Sequence, residues 1–490
     1  MLSSQLDQYQ KFTKDTAWAA IAYMALASRW LILLPILSKT LGAKAYGIWS
    51  LIEVTVLLLV FVALLQLDYS MARFLASEPN KGKISSGFFS VLAVTSGTSI
   101  LFSILMYVLA EPFAAAVLGD VQMAPLVKLA AFLIVLTTLD GVISQYFRAI
   151  RQMAKYSMFI VAEVVGEIAL ITYLVLSGFG LYGAISALLI VRILLFVIGF
   201  LMVKSQIEFS KPSIPVIKSY LTISLPLVPA WLCWWTYSLS CRYIIGYFLG
   251  VEAVGVYAAA YVLATVIEFL FNPLIVVLLP ATAYLYENNK IQDVKTHLKY
   301  SFKLYLLFAI PCVLGISILA KPLLATATTA EFTAGFLVVP IIALAEIFMG
   351  CGSIIMTVPL LLKRTRTILL IEGISAATNV AMNIVLVPLI GILGAAVSTL
   401  VAFILRFIIF TIVSFKQLSF DVDWQFIGKA VLSSFIMGAV IWKMNPSGAI
   451  SIVISILIGA AIYFAALTLL RGFSKQEYDF LKGVLRSLKR

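Results

Sequence analysis

Apolar residues run along this chain in blocks of about twenty, separated by short polar stretches, and the blocks continue to the end of the sequence. A helix of that length crosses a bilayer core at about 1.5 Å per residue. The blocks predict helices near 17–38, 47–67, 88–109, 124–143, 157–177, 181–203, 221–247, 253–283, 301–320, 335–361, 367–388, 392–414, 425–442 and 449–470. The seventh, eighth and tenth are long enough to hold tilts or breaks. Composition agrees: 62% of the residues are hydrophobic, 12% are charged and the mean hydropathy is +1.08, far from the roughly 45–50% apolar and 25% charged of soluble domains. The expected fold is an all-α polytopic membrane protein of about fourteen helices.

Lysine and arginine set the orientation. With the N-terminus inside, the inner segments hold twenty-six of them, from Lys11 and Lys14 to a basic tail at 471–490, and the outer loops hold five. That asymmetry places both termini in the cytoplasm of a cell (inner) membrane. It also accounts for the net charge of +13, whose partner is anionic membrane lipid and not nucleic acid. "ALA" at 25–27 has the form of a signal-peptidase site, but the apolar run continues to Leu37, so the first helix is read as retained.

A repeat underlies the helix count. "LGAKAYGIW" from Leu41 aligns with "LGVEAVGVY" from Leu249, an offset of 208 residues, and "GLYGAIS" from Gly180 aligns with "GILGAAVS" from Gly391, an offset of 211. Helices one to six therefore repeat as seven to twelve in the same orientation, an arrangement whose substrate sites lie between the halves. The expected division is a six-helix lobe at 1–205, its repeat at 206–418, an added helix pair at 419–470 and the tail at 471–490.

These elements carry a resemblance. Leu-Gly-x-x-x-x-Gly-aromatic, then "RFLAS" at Arg73, "YFRAIRQMAKYS" after helix four, "RYIIGYFLGVEAVGVYAAAYVLA" across helices seven and eight, and the Gly-x-x-Gly-Ala starts stand in one order and spacing. Together they resemble the polysaccharide and lipid-linked oligosaccharide flippases (Wzx-like polysaccharide transporters) of the multidrug/oligosaccharidyl-lipid/polysaccharide (MOP) exporter superfamily. The resemblance implies a V-shaped, two-lobed MOP/MATE-like fold with a central cationic cavity. It implies movement of a polyprenyl-pyrophosphate-linked oligosaccharide to the outer leaflet by alternating access, alongside glycan polymerase or assembly proteins. In many members an acidic residue precedes the arginine of helix seven; here it is Cys241.

The charges inside helices are the candidate chemistry. Arg29, Arg192, Arg242 and Arg406 are the intramembrane cations, each costing about 2.5–3.5 kcal/mol on insertion scales. Arg29 lies thirteen residues before Gly42, roughly 20 Å below the outer surface; Arg242 lies eight before Gly250, about 12 Å down. Each is read as a cavity ligand or as a structural ion pair. Guanidinium suits a pyrophosphate, which it binds bidentately. Glu53 and Glu268 join the arginines as candidate cavity residues, and Glu163, Glu167, Glu346 and Glu372 are candidates for coupling to H+ or Na+. Asp68 with Arg73, and Asp140 with Arg148, are candidate gate residues or end caps. Pro35, Pro226, Pro229, Pro273 and Pro340 are candidate kinks.

Other signals carry less. "GFGLYG" at 178–183 matches a dinucleotide fingerprint but joins two membrane helices with no strand before it. The single histidine, His297, falls in a cytoplasmic loop and the four cysteines show no ligand spacing, so neither a metal nor a cofactor is expected. Trp231, Trp234 and Trp235 suit sugar stacking or a membrane belt. No outer loop gathers catalytic groups, which disfavours an enzyme. A lipid-linked oligosaccharide flippase, monomeric by default, is the leading reading, and a cation-coupled multidrug exporter of the same superfamily is the alternative.

Overall fold

The computed structural model describes residues 2–76 and 78–473, the side chains of 2–17 and of Val276 apart. Ser77, the tail beyond 473 and the side chains of Lys11 and Lys14 lie outside the described residues. Within them the secondary structure is helical without a strand, as a chain in lipid requires when every backbone group must be satisfied inside its own segment. The helices are α1 (Leu2–Leu64), α2 (Leu67–Leu75), α3 (Lys81–Val108), α4 (Ala110–Val117), α5 (Ala124–Ala149), α6 (Met153–Leu174) and α7 (Gly180–Lys204). They continue as α8 (Ile214–Ser224), α9 (Val228–Leu239), α10 (Cys241–Leu249), α11 (Val251–Ala264), α12 (Glu268–Glu287) and α13 (Ile291–Ala327). The last five are α14 (Val338–Leu361), α15 (Thr365–Ile390), α16 (Ile392–Phe415), α17 (Trp424–Met444) and α18 (Ala449–Leu469).

Twelve helical runs among the described residues are long and apolar enough to cross a membrane. Two of them hold two passes each: 18–64 bends at Gly42, and 153–204 bends at Gly178 and Gly180, all with positive φ. The described residues therefore hold fourteen helical stretches long and apolar enough to cross a membrane, the number that hydropathy predicts. The seventh pass is the run α8–α10, broken by a 3₁₀ turn at Leu225–Leu227 beside Pro226 and Pro229; the eighth is α11–α12, broken by a 3₁₀ turn at Thr265–Ile267. Pro340 is the third residue of α14, where no N–H is needed, so it starts that helix without kinking it.

The repeat is visible in the backbone. Gly42 (φ 77°, ψ 174°) and Gly250 (φ 85°, ψ 168°), 208 positions apart, adopt the same conformation, one that favours glycine. The helices that follow cross reciprocally. A Cβ on Gly47 would lie 1.8 Å from the carbonyl oxygen of Val251, and one on Gly255 would lie 2.1 Å from that of Ala43. Positions 43 and 47 map onto 251 and 255 under the same offset. The contact is therefore self-complementary about a pseudo-twofold, and only glycine allows the backbones so near.

The chain forms two compact units. One comprises the residues up to Ala259 with Ala376–Ala395; the other comprises Ala260–Ser375 with the described residues from Ala396 on. In the first, α5 packs against α1, α2, α3, α6 and α7; in the second, α13 packs against α12, α14, α17 and α18. Asp423 opens α17: its carboxylate accepts from the Phe426 N–H at 2.9 Å and from Lys303 Nζ at 3.0 Å. Partial burial works against its charge, but these hydrogen bonds and the Lys303 charge outweigh it and hold the carboxyl below the usual range. Its contribution is therefore present above about pH 4 and fades as the pH falls. Asp423→Ala is expected to lower stability by about 1 kcal/mol, read as a lower Tm in detergent at pH 7 and a smaller gap from wild type at pH 3.

Candidate functional site

Four helices of the first unit bring six charged side chains together. Arg29 stands on α1 before its bend and Glu53 after it; Asp140 comes from α5, Glu163 and Glu167 from successive turns of α6, and Arg192 from α7. Arg29 Nη2 donates to Glu53 Oε1 at 3.0 Å, and its Nε lies 3.0 Å from Glu167 Oε2. Arg192 Nη2 lies 2.7 Å from Glu163 Oε1 and 2.9 Å from Glu167 Oε1, and its Nη1 lies 3.8 Å from Asp140 Oδ2. Glu167, with a fully buried side chain, is thus shared by two guanidiniums. The four-residue spacing of Glu163 and Glu167 is what lets both reach Arg192 from one face of α6.

The charges in this network do not balance. Four carboxylates meet two guanidiniums in direct ion pairs. A third cation stands close: Arg242 on α10 is buried and near enough for its charge to act on Glu53 and on the Tyr46 hydroxyl. The same side of α10 is tied to α1, since Tyr243 and Thr55 share a hydroxyl hydrogen bond of 2.6 Å and Trp235 Nε1 donates to the Val54 carbonyl at 3.1 Å. Trp231 and Trp234 pack on each other and on Phe61, with ring centroids 5.4–6.1 Å apart. These rings sit about halfway along the apolar run from Ile214 to Leu249.

The second unit repeats one part of this arrangement. Arg406 on α16 grips Glu372 on α15 through Nε at 3.0 and 3.1 Å and through Nη2 at 2.8 Å. Gly352 makes room for it, because a Cβ there would lie 2.8 Å from Arg406 Nη1. In both repeats, then, an arginine of the sixth helix holds a glutamate of the fifth. Glu268 opens α12, and Glu346 lies on α14, which packs against α12.

The remaining sequence candidates sit at helix ends. Arg73 and Arg148 are exposed, and the Arg148 charge acts on Asp68. Burial pushes the Asp68 carboxyl up, with Arg148 pulling the other way. Asn379 and Asn383 were missed in the sequence reading: both are fully buried on α15, and Asn383 Nδ2 donates to the Asn379 carbonyl and side chain at 2.8 and 2.9 Å. Two asparagines four apart in an apolar helix were the available signal. Among the described residues no group of three His, Cys, Asp or Glu side chains is placed to hold a metal ion.

Comparison with known proteins gives this network a context. A family model described as "Polysaccharide biosynthesis protein" matches residues 12–285, over half of the chain and all of the buried network. The chain belongs to this polysaccharide biosynthesis protein family. A relative named probable low-salt glycan biosynthesis flippase Agl15, from Haloferax volcanii, is 26% identical over 265 residues, covering 54% of this chain and 56% of that protein. The probable flippase AglR of the same organism is 24% identical over 257 residues, covering 51% of this chain and 54% of that protein. The matched region thus spans about half the length of these curated relatives. Among solved structures, the lipid II flippase MurJ in an inward closed conformation superposes with a TM-score of 0.75 at 18% identity, over 94% of this chain and 99% of that one. An inward-facing MATE multidrug transporter of the MOP superfamily gives 0.68 at 14% identity, over 81% and 94%. The fold is the one that these two transporter structures share. The Cys241 thiol beside Arg242 is buried and donates to the Tyr257 hydroxyl at 3.5 Å.

Proposed function

We propose that this family member is a flippase, a transporter without catalytic chemistry of its own. It carries a polyprenyl-pyrophosphate-linked oligosaccharide, an O-antigen or exopolysaccharide repeat unit, from the cytoplasmic to the outer leaflet by alternating access. It works in the cell (inner) membrane with both termini in the cytoplasm. The observation that carries the reading is the pair of arginines on α1 and α7 held by carboxylates, with the buried Arg242 of α10 close enough for its charge to act on Glu53. Carboxylate and phosphate oxygens present the same bidentate acceptor chemistry to guanidinium. Glu53 and Glu167 therefore occupy on Arg29 the place a pyrophosphate takes. Protonating either carboxyl releases its hold, so proton uptake and anion loading are linked at this network.

The printed names of the relatives, both flippases and one in glycan biosynthesis, support the same substrate class. A second reading, a cation-coupled multidrug exporter, is favoured by the excess of carboxylates in the network and by the MATE fold likeness. The two separate in one assay. Proteoliposomes of the wild-type protein are expected to translocate a fluorescent polyprenyl-pyrophosphate oligosaccharide and to leave a cationic dye where it is. Proton-driven dye export by well-folded protein, with no movement of the glycolipid, turns the reading to the exporter.

A further inference from the structure

The first unit holds an aromatic cluster that the arginine network does not use. Phe61 of α1 stands against Trp231 and Trp234 of α9, with ring centroids 5.4 and 6.1 Å away, and the two indoles meet edge to face at 5.7 Å. Trp231 is 41% exposed. Trp235 spends its indole N–H on the Val54 carbonyl. The indole N–H groups of Trp231 and Trp234 have no hydrogen-bond partner among the described residues. Open ring surface and two unused donors therefore stand at one place.

Neighbouring contacts fix where that place is. Trp235 holds Val54, Tyr243 holds Thr55, and the Trp235 and Tyr243 rings pack 5.8 Å apart across the joint between α9 and α10. Ser240, which makes that joint, keeps helical backbone angles. Trp231 and Arg242 are eleven residues apart, close to three whole turns, so they share one face of this pass at a separation of about 16 Å along its axis. Trp235 lies on the same face between them, and its hydrogen bond turns that face toward α1. Phe61 stands eight residues beyond Glu53 on α1, about 12 Å along the helix. Seen from either helix, the aromatic cluster lies a few sugar lengths from the residues that hold Arg29 and Arg242.

We propose that Phe61, Trp231 and Trp234 form a sugar-stacking subsite, which holds a pyranose ring of the glycan while the arginines hold its pyrophosphate. The proposal rests on the flippase reading for its ligand. In such a lipid the first sugar is bonded to the phosphate itself, so the sugars begin where the arginines end. A pyranose presents an apolar face of C–H groups and a rim of hydroxyls. Ring surface suits the first and indole N–H the second, the two halves of an aromatic residue with a polar handle. A lipid chain can use the ring surface alone and leaves both donors unused.

The test is equilibrium binding of two tritiated probes to the full-length protein in nanodiscs: farnesyl pyrophosphate, and farnesyl pyrophosphate carrying a chitin tetrasaccharide. Wild type is expected to bind the sugar-bearing probe more tightly. Trp231→Ala should weaken that probe about tenfold, the scale of one aromatic contact, and leave bare farnesyl pyrophosphate unchanged. Trp231→Phe, which keeps a ring, should recover most of the loss. Arg29→Lys should weaken both probes alike. If Trp231→Ala fails to fold, Trp234→Ala is expected to show the same selective loss. An equal loss for both probes in the tryptophan variants means a structural or membrane-belt role and overturns the proposal. Binding of both probes with no gain from the sugar overturns the subsite and leaves the flippase reading standing. Binding of neither probe by wild type, alongside a cationic dye whose affinity falls in Trp231→Ala, defeats the flippase reading and the subsite together.

Discussion

Arg29→Ala is expected to abolish translocation of a polyprenyl-pyrophosphate oligosaccharide in proteoliposomes. The substitution removes the guanidinium shared by Glu53 and Glu167 and leaves two buried carboxyls facing each other's charge without it. Breaking a buried pair on one side costs about 3–5 kcal/mol, so a loss of transport alone does not separate binding from folding. Arg29→Lys makes the separation. Lysine keeps the positive charge but offers no fork to hold two acceptors at once. It is expected to restore most of the thermal stability while leaving transport at least tenfold below wild type, a change of about 1.4 kcal/mol. Full transport by Arg29→Lys would mean that the site needs only a charge, and full transport by Arg29→Ala would remove Arg29 from substrate handling.

Gly255→Ala is the second large effect, and it acts through geometry alone. The new Cβ would sit 2.1 Å from the Ala43 carbonyl oxygen, a backbone atom with no rotamer to move. The two helices must part by about an ångström, at a cost typical of overpacking, about 1–3 kcal/mol. Gly47→Ala meets the Val251 carbonyl in the same way. Because both contacts belong to one reciprocal crossing, the double variant is expected to cost less than the sum of the singles, the helices being already apart. Spin labels at Lys44 and Glu252 on a cysteine-free background, exposed positions at the starts of the two crossing helices, should report a longer mean distance in either variant. Transport should fall in parallel, since a contact that cannot close no longer alternates with one that opens. An unchanged distance would show that the crossing absorbs the methyl elsewhere, and the predicted transport defect would then have no basis.

Much of the architecture was legible because it depends on properties that each segment carries by itself. The apolar run ending at Leu64 and the one beginning at Ile392 announce membrane helices by length and composition. Gly42 and Gly250 announce a repeated corner because the backbone there needs a positive φ. The site was less legible. Sequence placed Arg29 and Arg192 inside membrane helices but left their partners open; the structure gives Arg29 to Glu53 and Glu167. Glu167 stands 138 positions along the chain from Arg29 and no local pattern links them. Glu163 and Glu167 were readable as one helical face, yet not as a face turned toward α7.

Sequence by itself therefore determined the number of passes, their repeat, and the presence of ionisable groups where ionisable groups are costly, because transfer into lipid is a property of a segment's composition and length. Only the tertiary structure decided which of those groups meet. A helix that is apolar nearly all round has no distinct polar face to declare its rotation, so its orientation is set by packing against neighbours. The pairing of Arg29 on α1 with Glu167 on α6 follows from that packing.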